Sequence, residues 1–558
     1  MTTSVRAIAD HYTRTLAAHE PSAALALGRE PATMALPDLS PEWLEERYRV
    51  QGETLDQLAA LPAGAADGVL RAALVERLTG DRALFDTGFT LRLVAGLASP
   101  LHLILESVEG LVISDDARGV AVLERLEAAP GSLDQYERAL RRARELGLAG
   151  RFTGTGVAAA RQIRLLADQA DRWVRDDYFA RLPRAETLSP ALTERADGAA
   201  RAMTTALTGF VQFLREDLLQ GAPAEDAMGT EVYATMVASM LGTPVDLEEV
   251  YAFGWSELER LVAESRKLAA GLGGTGNDPV RSAAALLDAD PRYRLEGIDA
   301  IVTWLRTRVA ETVDVLGAEA FELPSTIHDV ECVVSQASAG VVYYTPGPPD
   351  GSAPSRIVWT IPSGVAVAAS WQEVTSVHHE GLPGHHLEHA VNRANADLHP
   401  WQRYLCEVHG YAEGWAHYAE ALADELGLIR DPAERLGLVL GQIWRSVRIV
   451  VDIGLHTGWP IPSTPLTDQT EWTPALARRF LEDYAMVVPD LARFEVDRYL
   501  GIPGQALAFK VGAKLWTEAR SAWRARHGDD APLSDFHRDA LALGPMGLGP
   551  LRAQLLAE

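Results

Sequence analysis

The sequence predicts a mainly α-helical protein with a small β element, on three observations. From its start to about residue 270 the chain repeats Ala, Leu, Arg and Glu at helical spacing, as in Leu123-Glu124-Arg125-Leu126-Glu127 and Tyr136-Glu137-Arg138-Ala139-Leu140. Between about Cys332 and Ile361 the text changes to Val341-Val342-Tyr343-Tyr344, Pro- and Gly-rich turns, and Arg356-Ile357-Val358-Trp359-Thr360, which has the β-branched and aromatic content of strands. After Ser363 helical periodicity returns, from Glu373 to Arg393, Trp401 to Leu426 and Asp431 to His456, and again toward the C-terminus.

With 558 residues the chain is long enough for one large, mostly helical domain spanning 1–558. It is divisible at the flexible text Gly271-Leu272-Gly273-Gly274-Thr275-Gly276-Asn277-Asp278-Pro279 into an N-terminal helical part, 1–270, and a second part, 280–558. A formal charge of −26 repels phosphate backbones and anionic lipid, so neither nucleic acid nor membrane is an expected partner. The first ten residues turn polar too early for a signal peptide and no membrane-length apolar stretch follows, so the expected location is cytoplasmic. The two cysteines, Cys332 and Cys406, lie far apart and in no CxxC pattern, so any metal must be held by histidine and carboxylate.

Histidine supplies the sharpest signal. Eight of the fifteen histidines fall between His378 and His417, five of them within His378–His389. Zinc hydrolases need two neutral imidazoles, a third ligand, an open position for water and a carboxylate that takes the water's proton. HExxH on a helix provides the first part because residues four apart share a face. Here the text is His379-Glu380-Gly381-Leu382-Pro383-Gly384-His385-His386. Six residues along an ideal helix a side chain has turned about 120° away, and seven along it lies about 10 Å further up the axis, so neither spacing serves one ion. Pro383-Gly384 would deform the helix. His379 and His385 are then the imidazole ligands and Glu380 the general base, with His386 either substituting for His385 or lying behind it. His385 with His389 is a rival pair at true four-residue spacing, without a glutamate directly after its first histidine.

The third ligand is expected on the next helix, where His409, Glu413, His417 and Glu420 form one polar stripe. Glu413 is the candidate, and Gly414 beside it lets a neighbouring helix or the metal approach closely. Glu420 and Asp424 read as ordinary surface acids, and His409 and His417 as supports for the ligands. A further stripe, Arg445, Arg448, Asp452 and His456, reads first as a buried ion-pair network and second as support for the metal helix or the transition state.

These residues resemble the bacterial family called domain of unknown function 885, placed among the zincin-type, gluzincin-like metallopeptidases. The resemblance rests on Tyr343-Tyr344-Thr345-Pro346, His379 to Leu387, Glu413-Gly414-Trp415 with Tyr418-Ala419-Glu420, Asp452 to His456, and Pro503-Gly504-Gln505-Ala506-Leu507, in family order over roughly the C-terminal 240 residues. It implies a large multi-helix zincin-like fold with an internal channel and metal-dependent peptide hydrolysis, without a substrate. The chain departs from the family in Glu388 where Gln is frequent, in the extra His389, and in showing no lipoprotein signal.

The expected activity is therefore zinc-dependent hydrolysis of short peptides with one zinc per chain. Tyr344, His417, His456 and Tyr499 are candidate donors to the tetrahedral oxyanion. The Arg356–Thr360 strand is a candidate edge for an extended peptide. Arg498 and Lys510, flanking the Pro503-Gly504-Gln505 turn, are candidates for a substrate C-terminal carboxylate. The alternative is a non-enzymatic helical protein that binds metal for structure or sequestration. A di-iron oxidase is disfavoured, since no Glu-x-x-His occurs.

Overall fold

Helical spacing in the sequence becomes helix along most of the chain: in this computed structural model 66% of residues are helical and 5% in strands, which makes the class mainly α. The structure describes residues 4–28, 36–109, 111–336, 342–349, 351–361 and 367–557. Val341, Ser363 and the first three residues, used in the sequence reading, lie outside these. The chain forms two compact units, one of residues 1–236 with 497–503, the other of 237–496 with 504–558.

In the first unit, α1 (Ala117–Leu148) contains both of the periodic segments named above and continues through Pro130. Its apolar face, with Leu123, Leu126, Leu133, Tyr136 and Leu140, shares a buried core with Met203, Leu207 and Phe210 of α2 (Pro190–Gln212). Burying each such side chain contributes about 1.5–3 kcal/mol. The Tyr136 hydroxyl, inside this core, donates to the Leu93 carbonyl oxygen at 2.6 Å and so carries no unmet polar group.

The second unit begins its main framework with α3 (Leu247–Gly271), capped by the Asp246 carboxylate, which accepts from the Glu248 and Glu249 N–H groups. The Gly271–Pro279 text is a loop inside this unit, joining α3 to a helix at Pro279–Ala289. The β element consists of β1 (Arg294–Glu296), β2 (Val330–Gln336), β3 (Val342–Thr345), β4 (Ser355–Ile361) and β5 (Val367–Ala369). β1 pairs with β5, while β4 is central in a three-stranded sheet, parallel to β2 and antiparallel to β3. This corrects one expectation. The Arg356–Thr360 segment lies in β4, whose backbone groups are engaged on both sides, so it offers no edge to a peptide.

Beyond the strands in sequence come α4 (Ser370–Ser376), α5 (His385–Ala394), α6 (His409–Glu425), α7 (Pro432–Thr457) and α8 (Ala508–His527). The helix expected from Trp401 to Leu426 is two, Pro400–Tyr404 and α6, with Leu405–Val408 non-helical between them. Helix α7 starts where the sequence places it, with Asp431 accepting from Ala433 and Glu434 N–H. Helices α6 and α8 cross closely at Gly414 and Gly512: a Cβ added to Gly414 would stand 2.6 Å from the Gly512 Cα. It is a neighbouring helix that uses the small residue beside Glu413.

Candidate metal centre

The spacing between His379 and His385 is accommodated by breaking the helix. After α4 the chain widens into one π-helical turn, Val377–Gly381, leaves helical geometry at Leu382–Gly384, and restarts as α5 at His385. Gly384 is required by close approach, since a Cβ there would collide with the carbonyl oxygens of His378 and His379. The Trp415 indole N–H of α6 donates to the Pro383 and Gly384 carbonyl oxygens, at 3.0 and 3.3 Å. His378 Nδ1–H donates to the Leu382 carbonyl oxygen at 2.8 Å, bracing the turn from within. As a result the His379 and His385 rings stand 5.0 Å apart between centroids, at 86° to one another.

Glu413 meets both rings. Its Oε2 lies 3.2 Å from His379 Nε2 and 3.5 Å from His385 Nε2. The three potential ligand atoms of His379, His385 and Glu413 all lie within 4.8 Å of one another. Tetrahedral zinc with bonds of about 2.0–2.1 Å separates its ligand atoms by about 3.3 Å, so the carboxylate-to-imidazole distances already match and the donor set fits the ion. Glu380, half-buried on the π turn, accepts no hydrogen bond from another described residue. Burial raises its carboxyl above the ordinary value, with His379 and His385 pulling the other way.

A second carboxylate stands behind the first imidazole. Glu420 is 1% exposed, and its Oε1 accepts from His379 Nδ1 at 2.7 Å while its Oε2 lies 3.3 Å from His417 Nδ1 and 3.3 Å from Gln442 Nε2. Gln442 Oε1 in turn accepts from Lys510 Nζ at 3.2 Å, and Lys510 pairs with Glu257 at 3.1 Å. Burial opposes charge on His379, but hydrogen bonds to Glu413 and Glu420 outweigh it and push its pKa up to about 9. Glu413 and Glu420 are held below the ordinary carboxylate range, against burial, by the histidines facing them. The Nδ1–H held by Glu420 aims Nε2 at Glu413, and a metal bound there would displace the proton that Nε2 shares with Glu413.

The other predicted residues divide. His386 is not with the pair: its Nε2–H donates to the Ile327 carbonyl oxygen at 2.8 Å and its Nδ1 faces the Tyr344 hydroxyl at 3.3 Å, so both nitrogens are engaged. His389 lies beside the Tyr344 ring, 5.2 Å between centroids, apart from Glu413. Tyr344 flanks the centre, its ring stacked at 6.4 Å on His385. His417 is buried behind Glu420, where burial pushes it down to about 4, so its place is beside the ligands' support. His456 is fully buried, 3.8 Å from Asp452, whose other oxygen accepts from the Gly504 N–H at 2.9 Å. Arg448 makes a buried ion pair with Glu495 at 2.9 Å, and Arg445 stands over Phe509, whose ring stacks on His379. Tyr499 and Arg498 belong to the first unit, the guanidinium 5.4 Å from the ring centroid. Lys510 is corrected as a substrate anchor, because its buried ammonium is already paired with Glu257 and Gln442.

Glu420, Gln442, Glu257, Trp415 and Phe509 were not identified from sequence as parts of this site. Two of them carried a signal, Glu420 by its place on the Glu413 stripe and Trp415 by standing in the Glu413-Gly414-Trp415 motif, and reading Glu420 as a surface acid is corrected by its burial.

Two solved structures share the fold. One is of a putative lipoprotein from Colwellia psychrerythraea, with TM-score 0.80 and 20% identity over 99% of this chain and 98% of that one. The other is of a putative lipoprotein of unknown function from Shewanella oneidensis, with TM-score 0.72 and 15% identity over the whole of both chains. No curated protein matches. Among the described residues no helix is long and apolar enough to cross a membrane. The family model that matches residues 21–555 is that of a bacterial protein of unknown function, DUF885, and the chain belongs to that family.

Proposed function

We propose that this protein is a zinc-dependent metallopeptidase of zincin-like design that hydrolyses short peptides. The observation that carries the reading is the convergence of His379, His385 and Glu413 within 4.8 Å, with Glu380 beside them and Glu420 behind. His379, His385 and Glu413 would hold one zinc per chain, which when bound supplies the Lewis acidity that polarises a peptide carbonyl and makes water nucleophilic near neutral pH. Glu380 removes the proton of the attacking water and returns it to the leaving amine, a role its burial-raised basicity suits. Glu420 holds His379 in the tautomer that presents Nε2. Tyr344, with its ring stacked on His385, and Arg445, whose charge reaches Glu380 and Glu413, are the nearest candidates to stabilise the oxyanion or orient the substrate.

The test is Glu380→Gln. It should keep one zinc by metal analysis while hydrolysis of a quenched fluorescent peptide library falls by about 10²–10⁴-fold. Full activity in chelator-treated, metal-free protein would refute the reading. Several metal ions per chain, with no activity to lose, would favour metal storage instead.

A further inference from the structure

The first unit contains a cavity of about 80 Å³ that belongs to no part of the metal centre, lined among others by Phe89, Arg92, Gln162, Asp226 and Leu500. Such a space holds several heavy atoms. Arg92 is its unusual member. It is 6% exposed, its Nε–H has no hydrogen-bond partner, and among the described residues no acid pairs with its guanidinium, whose charge meets only the Phe89 ring, 5.5 Å from Cζ to centroid. Burial alone pushes it down to about 10, with no acid near enough to pull it back. A buried, unneutralised guanidinium is costly, and its planar fork fits a carboxylate.

The same cavity carries unmet acceptors. Asp226 Oδ2 accepts from Arg161 Nε at 2.7 Å, but its Oδ1 is buried without a partner. Gln162, 2% exposed, donates through Nε2 to the Asp497 carbonyl oxygen at 3.0 Å, while its Oε1 is likewise buried and unpartnered. One unmet cationic donor and two unmet acceptors around a small space of mixed polar and apolar wall describe the complement of a zwitterion. We propose that this cavity binds a free α-amino acid of small side chain, its carboxylate on Arg92 and its ammonium toward Asp226 Oδ1 and Gln162 Oε1.

Isothermal titration of the full-length, metal-replete protein with glycine and with L-alanine tests this, with acetate and methylamine as single-charge controls. Saturable one-site binding of an amino acid, tighter than either control, is expected. Arg92→Met should weaken it roughly ten- to a hundredfold without lowering the melting temperature, because the substitution removes an unpaired buried charge. Asp226→Asn should weaken the amino acids while leaving acetate unchanged, and it serves if Arg92→Met does not fold. The proposal is overturned if the wild-type protein shows no saturable heat with either amino acid. It is equally overturned if acetate binds as tightly as glycine, or if the heat survives Arg92→Met, which would put the ligand elsewhere.

Discussion

Glu420→Gln exchanges one buried carboxylate oxygen for an amide nitrogen at a place where only acceptors fit. In the native arrangement Oε1 takes the His379 Nδ1–H at 2.7 Å and Oε2 takes the Gln442 amide at 3.3 Å. Gln442 cannot reverse its own amide without losing the Lys510 ammonium that its Oε1 accepts at 3.2 Å. His417 can adapt, since its Nε2 has no partner and can carry the proton instead. If the new glutamine keeps its oxygen on His379, its NH₂ faces the NH₂ of Gln442 and a buried donor is left unmatched, at about 1–3 kcal/mol. If it turns, its NH₂ faces His379 Nδ1, which must give up its proton, and the proton moves to the Nε2 that should ligate. In both cases His379 loses an anionic partner. The expected loss is about 10–100-fold in zinc affinity, or about 1.4–2.7 kcal/mol. Competition against a chromophoric zinc chelator at fixed pH measures it, with circular dichroism to establish that the variant is folded. A folded Glu420→Gln protein with unchanged zinc affinity would refute the assignment of Glu420 as the residue that orients His379.

The adjacent histidines separate cleanly: His385→Ala should abolish stoichiometric zinc in metal analysis, whereas His386→Ala should retain it, because both His386 nitrogens are occupied by Ile327 and Tyr344; equal loss in both would contradict the geometry. His537, fully buried between the Ala320 carbonyl oxygen and the Tyr418 hydroxyl, is pushed by burial from 6.5 down to about 3. Above pH 6.5 neither folded nor unfolded chain protonates it; below, the unfolded chain binds a proton that the folded one refuses. Stability should therefore fall by about 1.4 kcal/mol per pH unit from this residue as pH drops from 6.5 toward 3. In urea titrations between pH 6.5 and 5, His537→Gln should flatten the slope by one proton, and an unchanged slope would exclude His537 as a source.

Periodicity and composition were enough for the class, because helix and strand leave repeats of different length in the text whatever surrounds them. The small sheet was legible in the valine, isoleucine and aromatic content of Val342–Thr345 and Ser355–Ile361, and α7 in its Asp431 cap. What periodicity could not give was strand order. Nothing in Arg356–Thr360 says that β2 and β3 take both its edges, because pairing joins residues distant in sequence.

At the candidate metal centre, the residue types and the deforming Pro383-Gly384 pair were visible in one dimension, since metal ligation restricts its donors to few side chains. By itself the sequence determined that two imidazoles and a carboxylate were available and that the helix between His379 and His385 had to break. Only the tertiary structure decided that His385 rather than His386 faces Glu413, that Glu420 is buried against His379, and that Lys510 is paired through Gln442 and Glu257. The reason is that direction and burial are set by which helices cross, here α6 against α8 at Gly414 and Gly512, and a crossing is a property of two segments that neither carries alone.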